Sequence, residues 1–265
     1  MTTSIGIILA ANLISVTQQL TTNHTDIVDL IVRSRWGEVD QALAKIKSFP
    51  ESKFKDDGET VIGFLCTYAG RSDLTGNVLK GMRLLYEHRA NPSGDHGVAM
   101  FHASRLDQWG EVTERLIQYG VNPNAKCSMN PSFEGIAPLF LAADYNKSPK
   151  AAGVLLTHGA DPNTFSLDPE RPQSDLGPMT PIMIAALRNN PGIVAALIKF
   201  KAKVNLSNPS SGMTALHYAA KANASESIRA LLKSGANKKL KDKKGRTPLV
   251  IAKLAKTKQA IVLLK

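Results

Sequence analysis

The sequence predicts an all-α solenoid of about six to seven short helix–turn–helix units joined by hairpin tips. Three observations predict it. A pattern recurs with a period near 33 residues. Most copies open on a short apolar stretch at helical spacing, introduced by Thr-Pro or Thr-Ala in the clearest ones. Most close on a second apolar ridge followed by a glycine and a small residue. A unit of this size cannot bury its own apolar face, so neighbours must stack and share one continuous core.

In chain order, residues 5–16 form an apolar run broken by Gly6, Asn12 and Ser15. It is too short to cross a membrane. No Lys or Arg precedes it and no small-x-small site follows, so it reads as a capping helix rather than a cleaved leader. Next, Arg35-Trp36-Gly37-Glu38-Val39 echoes Gln108-Trp109-Gly110-Glu111-Val112, which predicts a degenerate helix pair near residues 26–48. Residues 1–57 are thus expected to hold N-terminal helices and a capping repeat, and residues 58–265 the array itself. Units are expected near 58–93, 97–125, 135–164, 176–206, 210–238 and 243–265.

The two most regular copies are Gly212-Met213-Thr214-Ala215-Leu216-His217 and, 33 residues on, Gly245-Arg246-Thr247-Pro248-Leu249-Val250. The preceding copy reads Met179-Thr180-Pro181-Ile182, and looser ones start at Ala137-Pro138, Gly97 and Gly58. Thr ahead of Pro caps and starts a helix, because Pro at the first helical position forfeits no hydrogen bond. Paired alanines after it make a narrow face that lets helices approach closely. Gly120, Gly159 and Gly235 sit where a left-handed residue ends the second helix. Val61 and Met100 replace the helix-starting Pro, while Val250 stands where His217 stands in its copy.

Composition narrows the function classes. Hydrophobic residues at 43% and charged residues at 21% describe an ordinary folded chain, which argues against disorder. The two cysteines, Cys66 and Cys127, lie far apart with no metal-ligand spacing, consistent with free thiols in a reducing, cytoplasmic setting. Neither has the surroundings of a nucleophile. His24, His88, His96 and His158 pair with no cysteine or acid at metal spacing, and no phosphate-cradling glycine loop occurs. The reading is therefore non-catalytic, with no cofactor and no metal. Charge is uneven: residues 201–265 hold 15 Lys and Arg against Glu226 and Asp242, a net of +13 within a chain of +11.

The Thr-Pro-Leu-x-x-Ala openings and the Gly-Ala-Asp-Pro-Asn ending at Gly159–Asn163 resemble ankyrin repeats, over roughly residues 58–265. That resemblance implies a monomeric adaptor or scaffold that binds a protein partner. Irregular arrays of this kind are similar both to eukaryotic adaptors and to bacterial effectors delivered into host cells. It also implies a concave surface made of hairpin tips and the exposed side of each first helix. Carried over by position, the partner-binding candidates are Phe133, Glu134, Asp144, Tyr145, Leu176, Met179, Leu187, Arg188, Met213 and Lys221. Leu106 and Asp107 are their counterparts in the second unit. Exposed apolar side chains in one groove would form a binding hot spot. The resemblance further implies that His102 and His217 brace turns rather than do chemistry. Steps between turn positions of 39, 38, 43, 34 and 33 residues place insertions within residues 68–80 and 164–176. The alternative function is binding of a polyanion, whether acidic protein, phosphoinositide or nucleic acid. Its candidates are Lys238, Lys239, Lys241, Lys243, Lys244 and Arg246.

Overall fold

The computed structural model describes residues 24–45, 61–92, 97–126, 135–166 and 178–265. Residues 5–16 and Cys127 lie outside them, as do Phe133, Glu134, Leu176 and most of the second insertion. The chain divides into two compact units, residues 1–47 and 48–265.

In the first unit, α1 (His24–Val32) and α2 (Trp36–Lys45) pack on each other. Ile27 and Ile31 fall on one face of α1 at i,i+4 spacing, and with Val39 and Leu43 of α2 they are fully buried. Ser34, in the left-handed conformation at φ 59°, reverses the chain between them.

The second unit consists, among the described residues, of six helix pairs: α3 (Val61–Cys66) with α4 (Thr75–Glu87), α5 (Val98–Leu106) with α6 (Glu111–Gln118), and α7 (Pro138–Tyr145) with α8 (Lys150–Thr157). Then follow α9 (Pro181–Leu187) with α10 (Pro191–Lys199), α11 (Ala215–Lys221) with α12 (Ser225–Lys233), and α13 (Pro248–Leu254) with α14 (Lys258–Leu264). Each first helix packs on the next first helix, and each second helix on the next second helix. The paired alanines explain the closeness of that stacking: Ala142, Ala143, Ala185, Ala186, Ala219 and Ala220 are all buried at zero exposure. Larger side chains fill the seam between them, among them Phe140, Ile184 and Tyr218.

Two local expectations need correction. Helix α5 begins at Val98, two residues before Met100, because Gly97 at φ 84° turns the chain into the helix without any proline. Thr180 precedes α9 in extended conformation, but its hydroxyl makes no cap bond and lies buried without a partner. The expected cap is present at Thr247, whose side chain accepts from the Val250 N–H. At Thr214 the brace is His217 instead. The insertion within residues 68–80 is partly absorbed into α4, which is 13 residues long where the other second helices have seven to nine.

Hydrogen bonds zip the units at both ends. Asn124 donates to the Gly159 carbonyl at 2.9 Å and accepts from the Asp161 N–H at 2.9 Å. Asn205 repeats this against Gly235 and Asn237 at 3.1 and 2.8 Å, while Asn163 accepts from the Lys203 N–H at 2.8 Å. Asn124, Asn163 and Asn205, each closing its repeat, are therefore brackets to the next one. At the hairpins, Asn208 donates to the Pro178 carbonyl at 2.8 Å, and the Lys243 N–H donates to the Ser211 carbonyl at 3.0 Å.

Candidate functional site

The residues after the paired alanines form a row along the ends of the first helices. In the earlier units this row is occupied by clasps between neighbours. The Arg105 guanidinium lies 4.7 Å above the Tyr145 ring, joining α5 to α7 by a cation–π contact. The Asp144 side chain has zero exposure and receives the Arg188 side chain at 2.5 Å, joining α7 to the end of α9. Burying a carboxylate costs several kcal/mol unless a cation answers it, so Asp144 fixes Arg188 in place and cannot itself meet a partner. Asp107 is likewise removed from the candidates. It is buried, and its carboxylate accepts from the N–H groups of Gly110 and Thr113 at 2.9 and 2.8 Å and from the Thr113 hydroxyl at 2.9 Å. It serves to start α6.

The expectation of exposed methionines at the tips fails. Met179 is fully buried, with its backbone bridged to Ser166 by hydrogen bonds of 2.8 and 2.9 Å. Met213 is 6% exposed, and its carbonyl accepts from the Asn208 N–H at 2.8 Å. Successive residues of an extended bridge face opposite sides, and these two fall on the inner side, under the hairpin.

In the later units the row opens. Leu187 is half-buried, Arg188 is exposed, and Lys221 is exposed with no acidic partner among the described residues. One position on in the same register, 33 residues after Lys221, stands Leu254 at 65% exposure, a large apolar side chain in water. Sequence reasoning missed it. The signal was present in the period itself, since 187, 221 and 254 follow the same spacing as the turn positions.

The basic candidates are at the last hairpin. Lys238, Lys239, Lys241, Lys243 and Lys244 are exposed. Arg246 is not equivalent to them. Its guanidinium holds the buried Asp242 carboxylate at 2.6 and 2.8 Å, so its charge is spent within the fold. Burial pushes the Asp242 carboxyl up, but hydrogen bonds from the Arg246 side chain and from the N–H groups of Arg246 and Lys244 outweigh it and hold the group below the usual range. His217 lies beside this hairpin, fully buried. Its Nδ1 accepts from the Thr214 N–H at 3.1 Å, which leaves Nε2–H to donate to the Arg246 carbonyl at 3.0 Å. Burial lowers its pKa, so the ring stays neutral and acts as a brace between two units.

Among the described residues no three His, Cys, Asp or Glu side chains gather where they could hold a metal ion. No helix among them is long and apolar enough to cross a membrane. Along α6 and α8 runs a shallow groove of about 420 Å³ lined by Trp109, Glu114 and Arg115, in which Glu114 is already paired with His158 at 3.1 Å.

Helix pairs stacked in two rows, asparagine brackets and bridged hairpin tips define an array of ankyrin repeats, a class of protein-interaction module. Comparison with known proteins agrees: residues 167–242 match the family described as ankyrin repeats (3 copies). The chain is also 31% identical over 188 residues to ankyrin repeat and SOCS box protein 3 of Bos taurus, and 31% identical over 192 residues to the Homo sapiens protein of the same name. Each alignment covers 71% of this chain and 34% of the relative, so the chain spans about a third of the length of the curated relatives it matches. By this match residues 167–242 are ankyrin repeats, and the helix pairs that flank them follow the same plan.

Proposed function

We propose that the chain is a non-catalytic adaptor that grips a protein partner along the first-helix row of its last three units. The observation that carries this reading is the open run Leu187, Lys221 and Leu254, where apolar and cationic side chains stand exposed or half-exposed in register. In the earlier units the same row is closed by the Arg105–Tyr145 and Asp144–Arg188 clasps. Interfaces draw most of their energy from a few such side chains placed near a centre. Tyr145 stays on the rim of this surface, its ring already covered on one side by Arg105. Phe133, Glu134 and Leu176 are carried forward as tip contacts by position in the repeat.

The test uses the chain as bait in a host lysate, beside a Leu187→Ser, Lys221→Glu, Leu254→Ser variant. A control carries Val262→Ser, which changes an exposed side chain of α14 at 71% exposure. Proteins retained by the wild type and the control, and lost from the triple variant, support the groove. Undiminished capture by the triple variant removes it.

A further inference from the structure

Resting on that reading, we propose the chemistry of the partner segment: an extended acidic peptide whose apolar residues are about six positions apart, laid across α9, α11 and α13. Leu187, Lys221 and Leu254 hold one position in three successive units, and the three helices pack side by side in that order. Packed helices lie 8–10 Å apart, which puts Leu187 and Leu254 roughly 20 Å from each other with Lys221 between them. An extended chain advances about 3.3 Å per residue, so roughly six residues join an apolar side chain over Leu187 to another over Leu254. Side chains alternate along an extended chain, so the second and fourth residues after the first apolar one face the same side as the two apolar residues and flank Lys221.

Charge settles what those two facing residues are. Residues 201–265 carry a net of +13, and both acids among them are already engaged, Asp242 by Arg246 and Glu226 by Arg229. Lys221 has no acidic partner among the described residues, and Lys243 and Lys244 are exposed on the tip that leads into α13. A carboxylate-bearing segment meets a surface of uncompensated cations, which favours encounter and orientation. A nucleic acid is the poorer match. No Phe, Trp or Tyr follows Tyr218 to stack a base, and the exposed Leu254 side chain offers a phosphate backbone nothing.

Fluorescence anisotropy with the full chain tests this. One labelled peptide carries two leucines about six residues apart with glutamates between them. A second has the same composition with the leucines adjacent, and a third replaces Glu by Lys. Heparin and a single-stranded oligonucleotide are added as competitors. The first peptide is expected to bind best, to weaken about tenfold with Leu254→Ser and with Lys221→Glu, and to lose affinity as salt rises. Equal binding of the adjacent-leucine peptide overturns the spacing. Binding that responds to Lys221→Glu but not to Leu254→Ser, with full displacement by heparin or oligonucleotide, overturns the acidic-peptide occupant in favour of a polyanion. Absence of binding by every peptide overturns the proposal. If the triple variant still loses its lysate partners in that case, the groove stands and only the peptide chemistry falls.

Discussion

His217 shows how one side chain can decide whether two repeats hold together. It fills a fully buried site, and its two nitrogens satisfy a donor on its own unit and an acceptor on the next. Replacing it by Ala strands the Thr214 N–H and the Arg246 carbonyl and leaves a cavity, an expected loss of about 3 kcal/mol. Its depressed pKa also makes stability depend on pH. Because the folded ring resists protonation, its full contribution is present above the ordinary histidine pKa of about 6.5 and is lost as pH falls below that value. Asp242 acts in the opposite sense of charge but the same direction of pH. Its lowered carboxyl pKa gives stability that is present above about pH 4 and lost as pH falls further. Urea unfolding of the wild type between neutral and mildly acid pH is expected to show a decline that the His217→Ala variant lacks. A decline of the same size in both would exclude the histidine as its source.

At the scale of the element, the hairpin tip is the sensitive part. Gly212 has φ 75°, and a Cβ there would sit 2.7 Å from the Lys243 N–H group of the following hairpin. Gly235 has φ 85° but open space around the Cβ position. Gly212→Ala is therefore expected to cost about 2 kcal/mol or more, by strain and by collision with backbone, and Gly235→Ala only about 1 kcal/mol by strain alone. Equal losses in urea unfolding would show that contact between tips contributes nothing. This difference was not legible in the sequence, since both glycines read as left-handed turn residues. The start of α5 escaped for a related reason. Alignment to the other copies set Met100 at the helix start, whereas the φ of Gly97 lets the helix begin earlier. Thr180 looked like a cap from its neighbour Pro181, yet its hydroxyl faces no donor.

For the whole molecule, stability follows from nearest-neighbour interfaces, because no unit has a core of its own. The asparagine brackets make this testable. Asn205→Ala removes both bonds from Asn205 to the Gly235 carbonyl and the Asn237 N–H, at an expected cost of about 1–2 kcal/mol. Hydrogen exchange should then quicken in α11 to α14 more than in α5 to α8; a uniform change would contradict coupling between neighbours alone. By itself the sequence determined the repeat, its period, the helix pairs and the basic end, since periodic apolar spacing, caps and charge are local properties of the chain. Only the tertiary structure decided which candidates face water. Met179, Met213, Asp107 and Asp144 turned inward and Leu254 outward, because exposure depends on what the adjoining unit covers. A position in one repeat is silent about the surface of the next.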